Sequence, residues 1–149
     1  MLKRNKPSLN KYKIMPYLKT YRLFISHAWD YNDEYYQMIN NFRNANNFDW
    51  SNYSVPEHDP MHFKTKTQLT AKLDEQIRQV NVFIVLGGLY VSHRDWIQKE
   101  IDIAQAYNKP ILGIRPWGNV NMPSAVSSAS DQIVGWNIGP IISAIRELG

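Results

Sequence analysis

Five consecutive apolar residues, Val82-Phe83-Ile84-Val85-Leu86, closed at once by Gly87-Gly88, constrain this chain more than any other feature. The run is too short for a helix, and with no polar residue alternating through it, it reads as a strand covered on both faces. Such a strand needs helices above and below it, and the neighbouring sequence supplies them. Upstream, Leu69, Leu73, Ile77 and Val80 fall at helical spacing. Downstream, Ser92 with Asp95 three residues later resembles a capping box, opening a helix that runs to about Tyr107 and is stopped by Asn108-Lys109-Pro110.

The same alternation fills the rest of the chain. Leu23-Phe24-Ile25 reads as a short buried strand, broken by Ser26-His27-Ala28-Trp29-Asp30, and Tyr35, Met38, Ile39 and Phe42 mark the helix that follows. The stretch from Asn44 to Thr67 reads as irregular, with at most one short strand near Trp50 to Val55 before a loop around Pro56 to Pro60. Ile111-Leu112-Gly113-Ile114 gives a further buried strand, Arg115 to Asp131 a second long loop, Gln132 to Trp136 a short strand, and Ile138, Ile141, Ile142, Ile145 and Leu148 a terminal helix. Strands alternating with helices predict an α/β flavodoxin-like fold of three layers, built on a mostly parallel five-stranded sheet with right-handed crossovers.

At 149 residues the chain has the length of one domain. Residues 1–20 carry six of the 17 basic residues and no acid, so they read as a basic extension preceding a domain at 21–149. The remainder has fewer basic than acidic residues, which argues against nucleic acid as the main ligand. Cysteine is absent, removing disulfides, thiolate metal sites and cysteine nucleophiles. No stretch reaches the ~20 apolar residues of a membrane span and no secretory h-region is present, so a cytoplasmic protein with no membrane contact is expected.

In open parallel sheets ligands bind beyond the carboxyl ends of the strands where strand order reverses, here between the first and third strands. The loops Ser26 to Asp30 and Gly87 to Asp95 are expected to converge there. Beside them stands an anomaly. Glu100 has Trp96 and Ile97 at i−4 and i−3, and Ile103 and Ala104 at i+3 and i+4, with Ile101 and Tyr107 on the same arc. A carboxylate in the middle of an apolar stripe is neutralised, hydrogen-bonded or functional. The bland reading is a hydrogen bond from Ser26, His27 or a backbone amide that ties the helix to the sheet, with Trp96 as core.

Other chemistries lack their residues. Ser26 and His27 are adjacent on a strand end and point to opposite faces, which disfavours a Ser-His dyad. His58 and His62 have i, i+4 spacing, but Pro60 breaks the helix a zinc pair needs, so no metal is expected. Neither GxGxxG after a strand nor GxxxxGK[ST] occurs.

Phe24-Ile25-Ser26-His27 resembles the opening box of TIR domains, and Trp96-Ile97-Gln98-Lys99-Glu100 resembles the Trp-x-x-x-Glu signature of NAD-consuming TIR domains. Lys109-Pro110-Ile111-Leu112-Gly113-Ile114 is similar to the TIR-like branch that includes the sensor subunit of bacterial Thoeris anti-phage defence. The resemblance covers roughly residues 21–148. It implies that NAD is a substrate rather than a cofactor, cleaved at the nicotinamide-ribose bond to an ADP-ribose species, a cyclic one serving as an antiviral signal. Glu100 would be the catalytic residue and Trp96 a pocket wall. Ser26, His27 and Asp30 would hydrogen-bond the ribose or phosphates, and the Asn44 to Thr67 loop would act as a lid. The partners implied are a second copy of the chain completing the site, a viral trigger, and a downstream effector read through the signal. The segment Ser54 to Pro60 departs from the receptor-type TIR loop. A non-catalytic TIR-like interaction module is the competing reading, and a receiver-like or nucleoside-binding domain a weaker one, since Arg22 to Asp30 offers only Asp30 as an acid.

Overall fold

The computed structural model describes residues 19–26, 33–55, 65–118 and 121–149. Five strands, β1 (Thr20–Ser26), β2 (Asp49–Asn52), β3 (Val82–Leu86), β4 (Ile111–Ile114) and β5 (Gln132–Val134), form one sheet in the order β2-β1-β3-β4-β5. Every neighbouring pair is parallel, so the expected mostly parallel sheet is wholly so. All five residues of β3 have no exposed surface, as a run without alternation requires of a central strand.

Among the described residues six helices accompany the strands: α1 (Asp33–Asn44), α2 (Lys66–Ile77), α3 (Gly87–Ser92), α4 (Arg94–Ala106), α5 (Ser124–Ala129) and α6 (Ile138–Leu148). The chain steps one way from β1 to β2 and the other way thereafter, so right-handed crossovers put α1 on one face of the sheet and α2, α4 and α5 on the other. Helix α6 returns to the α1 side. There Arg146 of α6 donates from Nη2 to Asn47 O at 2.6 Å and lies over the Phe48 ring, 5.9 Å from its centroid. The apolar stripes are buried as their spacing demands: Tyr35, Met38, Ile39 and Phe42 on α1, and Ile141, Ile142 and Ile145 on α6.

Several local expectations are corrected. Gly87 and Gly88 do not begin a loop; they begin the short helix α3. The expected capping box does not form, because His93 occupies the N-cap position of α4 and no side chain caps it. The long loop from Arg115 to Asp131 contains α5, a six-residue helix that buries only Val126 and so carries no periodic signal. Tyr107, the residue that caps the carboxyl end of α4, leaves the apolar arc: it is 38 % exposed and its hydroxyl donates to Asp74 Oδ2 of α2 at 2.6 Å. Lys99 Nζ donates to Thr70 Oγ1 at 2.6 Å, a second tie between the same two helices.

β2 begins at Asp49 and stops at Asn52, short of the expected Val55, because side chains take over the ladder. Tyr53 N donates to Leu23 O at 2.8 Å, and the buried Ser54 then accepts Ile25 N on its Oγ at 2.8 Å. This hydroxyl receives a buried β1 amide just beyond the end of the β2 ladder. Ser54→Ala removes the acceptor of this buried bond, and about 1–3 kcal/mol of stability is expected to be lost. Urea titration checks it, with a lowered midpoint at unchanged slope.

Candidate active site

Ser26 is the last residue of β1 and pairs in register with Val85 of β3, so its side chain stands at the carboxyl edge of the two central strands. Alternation along β1 turns Ser26 and Phe24 to the α4 side. Phe24 stacks on Phe83 beneath it, ring centroids 5.3 Å apart and planes 13° from parallel. Above this floor lies Glu100, which α4 carries inward with Ile97, Ile101 and Ala104.

Glu100 is 2 % exposed. Its Oε1 accepts the Ser26 hydroxyl at 2.9 Å, and its carboxyl also takes a hydrogen bond from the Trp96 side chain one turn earlier on α4. Both bonds favour the charged form. Burial outweighs them and pushes the carboxyl well above the ordinary range, so the acid form persists above the pH at which an exposed carboxyl ionises. The sequence anomaly is therefore a carboxyl group held dry at the sheet edge.

Trp96 has a second surface. With Lys66 and Leu69 of α2, and Asp95 and Lys99 of α4, it lines a mainly apolar cavity of about 300 Å³ between the two helices. A larger groove of about 500 Å³ lies at the other end of the sheet, where Lys109, Pro110 and Ile111 lead into β4. Asp131, the acid of that groove, accepts the Ile111 amide at 2.8 Å, which anchors β4. The carboxyl end of the sheet is the better candidate, because it joins a dry carboxyl to an aromatic-walled cavity at the point where strand order reverses.

A second carboxyl reaches the same edge, which the sequence reading missed. Glu34, in the first turn of α1, packs against Gly88 so closely that a Cβ at Gly88 would stand 2.5 Å from Oε1 and 2.9 Å from Oε2. Its Oε2 is buried with no hydrogen-bond partner among the described residues, and burial raises its pKa. In sequence an acid in a first helical turn reads only as a complement to the helix dipole, and nothing links residue 34 to residue 88.

Of the residues singled out from sequence, Ser26, Trp96 and Glu100 come together. His27 and Asp30 lie outside the described residues, as do the loop from Pro56 to Pro60 and the His58 and His62 pair. Among the described residues, no helix is long and apolar enough to cross a membrane.

The family model for the Thoeris protein ThsB, TIR-like domain, matches residues 24–121. No curated protein sequence matches the chain. Among solved structures, the chain is similar to the CMP N-glycosidase BcmB of Clostridium botulinum at 16 % identity and a TM-score of 0.52, covering 83 % of this chain and 97 % of that one. At that identity the likeness is one of fold.

Proposed function

The chain belongs to the TIR-like domain family of the Thoeris protein ThsB, and on that premise we propose that it cleaves the nicotinamide-ribose bond of NAD and releases a cyclic ADP-ribose-type signal. The observation that carries this reading is Glu100, a carboxyl buried beside the carboxyl edge of β1 and β3, at the end of a Trp96-x-x-x-Glu100 spacing that resembles the signature of NAD-consuming TIR domains.

The chemistry suits one such group. The nicotinamide ring of NAD is cationic, and a cation brought against Glu100 favours its ionised form, offsetting the burial that favours the protonated one. The proton leaves to solvent. As the bond from C1′ to the ring nitrogen breaks, nicotinamide departs neutral with the electron pair, and positive charge moves to the ribose. A carboxylate held dry beside it stabilises that charge far better than water does. Attack on C1′ by a ring nitrogen of the substrate's own adenine closes a cyclic product, whereas attack by water gives linear ADP-ribose and a proton. In this reading Trp96 walls the nicotinamide and the Ser26 hydroxyl orients the carboxylate. His27 and Asp30 hydrogen-bond the sugar or phosphates, and Lys66 and Lys99 of the cavity face the diphosphate. A second copy of the chain completes the site, and the cyclic product carries the alarm from a viral trigger to a downstream effector.

Chromatography with mass detection on NAD incubated with concentrated, assembled protein tests the proposal. Nicotinamide release is expected, with a product lighter by one water than ADP-ribose. A linear product alone would overturn the cyclase, and no nicotinamide would overturn the reading itself. A pH series adds a signature: kcat/KM is expected to rise with pH through an ionisation above the normal carboxyl range, because the free site must lose the Glu100 proton. An interaction module is the second reading. It is favoured by one observation, that Ser26 and Trp96 already bond Glu100 and so can serve as a structural tie.

A further inference from the structure

Glu34 is the group at this edge that the reaction as described does not use. It approaches from the α1 side of the sheet, whereas Glu100 approaches from the α4 side. The two carboxyls meet the same strand ends, since Glu34 packs on Gly88, three residues beyond the Val85 that pairs with Ser26. A carboxyl with a purely structural role has its oxygens bonded, because an unpaired buried oxygen is costly. Here Oε2 is sealed from water without a partner among the described residues. The residue is only partly buried, so a ligand at the strand ends reaches the group, and the broad terminal torsion of a glutamate lets either oxygen turn to it. Gly88 is what makes room, for any larger residue would put a carbon where the carboxyl sits.

We propose that Glu34 is the sugar-selecting residue of the site, accepting a hydroxyl of the ribose whose glycosidic bond is broken while Glu100 faces C1′ from the opposite side of the sheet. A carboxyl is the apt partner, since it accepts from a vicinal diol and has nothing to offer a deoxy sugar. The inference rests on the NAD reading above and deepens it by assigning how the ribose is held.

Steady-state kinetics on NAD, and on two analogues lacking the 2′- or the 3′-hydroxyl of the nicotinamide ribose, test it with wild type, Glu34→Gln, Glu34→Ala and Gly88→Ala. Glu34→Ala is expected to lower kcat/KM on NAD by roughly 10- to 100-fold, mainly through KM, the cost of a lost hydrogen bond to a charged group. On the analogue lacking the bonded hydroxyl the loss is expected to shrink to roughly threefold or less. Glu34→Gln, which keeps one acceptor oxygen, is expected to fall between. Gly88→Ala leaves the carboxyl in the chain but displaces it, and is expected to repeat the alanine pattern at an unchanged melting temperature. Equal losses on all three substrates, or no loss on NAD, would overturn the inference and leave NAD cleavage standing. Failure of wild type to turn over NAD would remove both together.

Discussion

Glu100→Gln abolishes NAD cleavage and makes the protein more stable: that pair of results is expected together. The loss of activity follows from charge. Glutamine keeps the shape and one acceptor for the Ser26 hydroxyl, but carries no negative charge for the ribose cation. Removing one such electrostatic contact lowers kcat by about 10²–10³-fold, and a carboxylate acting alone on the cation is expected to reach or exceed that. The gain in stability follows from the proton. An ordinary glutamate titrates near pH ~4.3 in the unfolded chain, and Glu100 in the folded chain titrates well above it. Below the unfolded value both states hold the proton, and the variant has no advantage. As pH rises towards the folded pKa the unfolded state ionises while the folded state does not, so wild type loses stability that the variant keeps. Melting curves of the two proteins are therefore expected to converge near pH ~4 and separate as pH rises, at roughly 2–4 °C for each kcal/mol. Retained cleavage in folded Glu100→Gln would reject the catalytic role. A variant less stable than wild type at neutral pH would favour the structural tie.

Phe83→Ala is the second large effect, and it acts on the floor of the site. Phe83 and its stacked partner Phe24 are wholly buried between the sheet and the helices on the α4 side. Truncation removes a ring from a close-packed layer, and about 3–5 kcal/mol is expected to be lost with a fall in Tm on the order of 10 °C. Phe83→Leu keeps most of the volume and is expected to cost far less, since volume-conserving changes are tolerated best. Similar melting temperatures for the two variants would show that the layer collapses around the hole, and that the ring is not a fixed support for Ser26.

The sheet was legible because its signals are local. Val82 to Leu86 declares a central strand in five letters, the stripes of α1 and α6 name their own buried faces, and Glu100 stands out among apolar helical neighbours. What was not legible depends on residues far apart. Two glycines are poor helix formers, yet Gly87 opens α3 because a side chain there would stand 2.5 Å from Met122 Sδ and 2.9 Å from Ile114 O. Serine-rich α5 shows no stripe since only Val126 is buried. Glu34 belongs to the site only through its contact with Gly88, a neighbour that no periodicity connects to it.

The two ties between α2 and α4 bear on how rigidly the carboxyl is carried. Lys99 to Thr70 and Tyr107 to Asp74 are two rungs, one within α4 and one at its C-cap about two turns on, and a pair of rungs resists both sliding and twisting where a single one would act as a pivot. Glu100 sits next to the first rung. The helix that bears the carboxyl is therefore held to α2 at two points rather than one, which fixes the tilt of α4 against its neighbour as well as its distance from it.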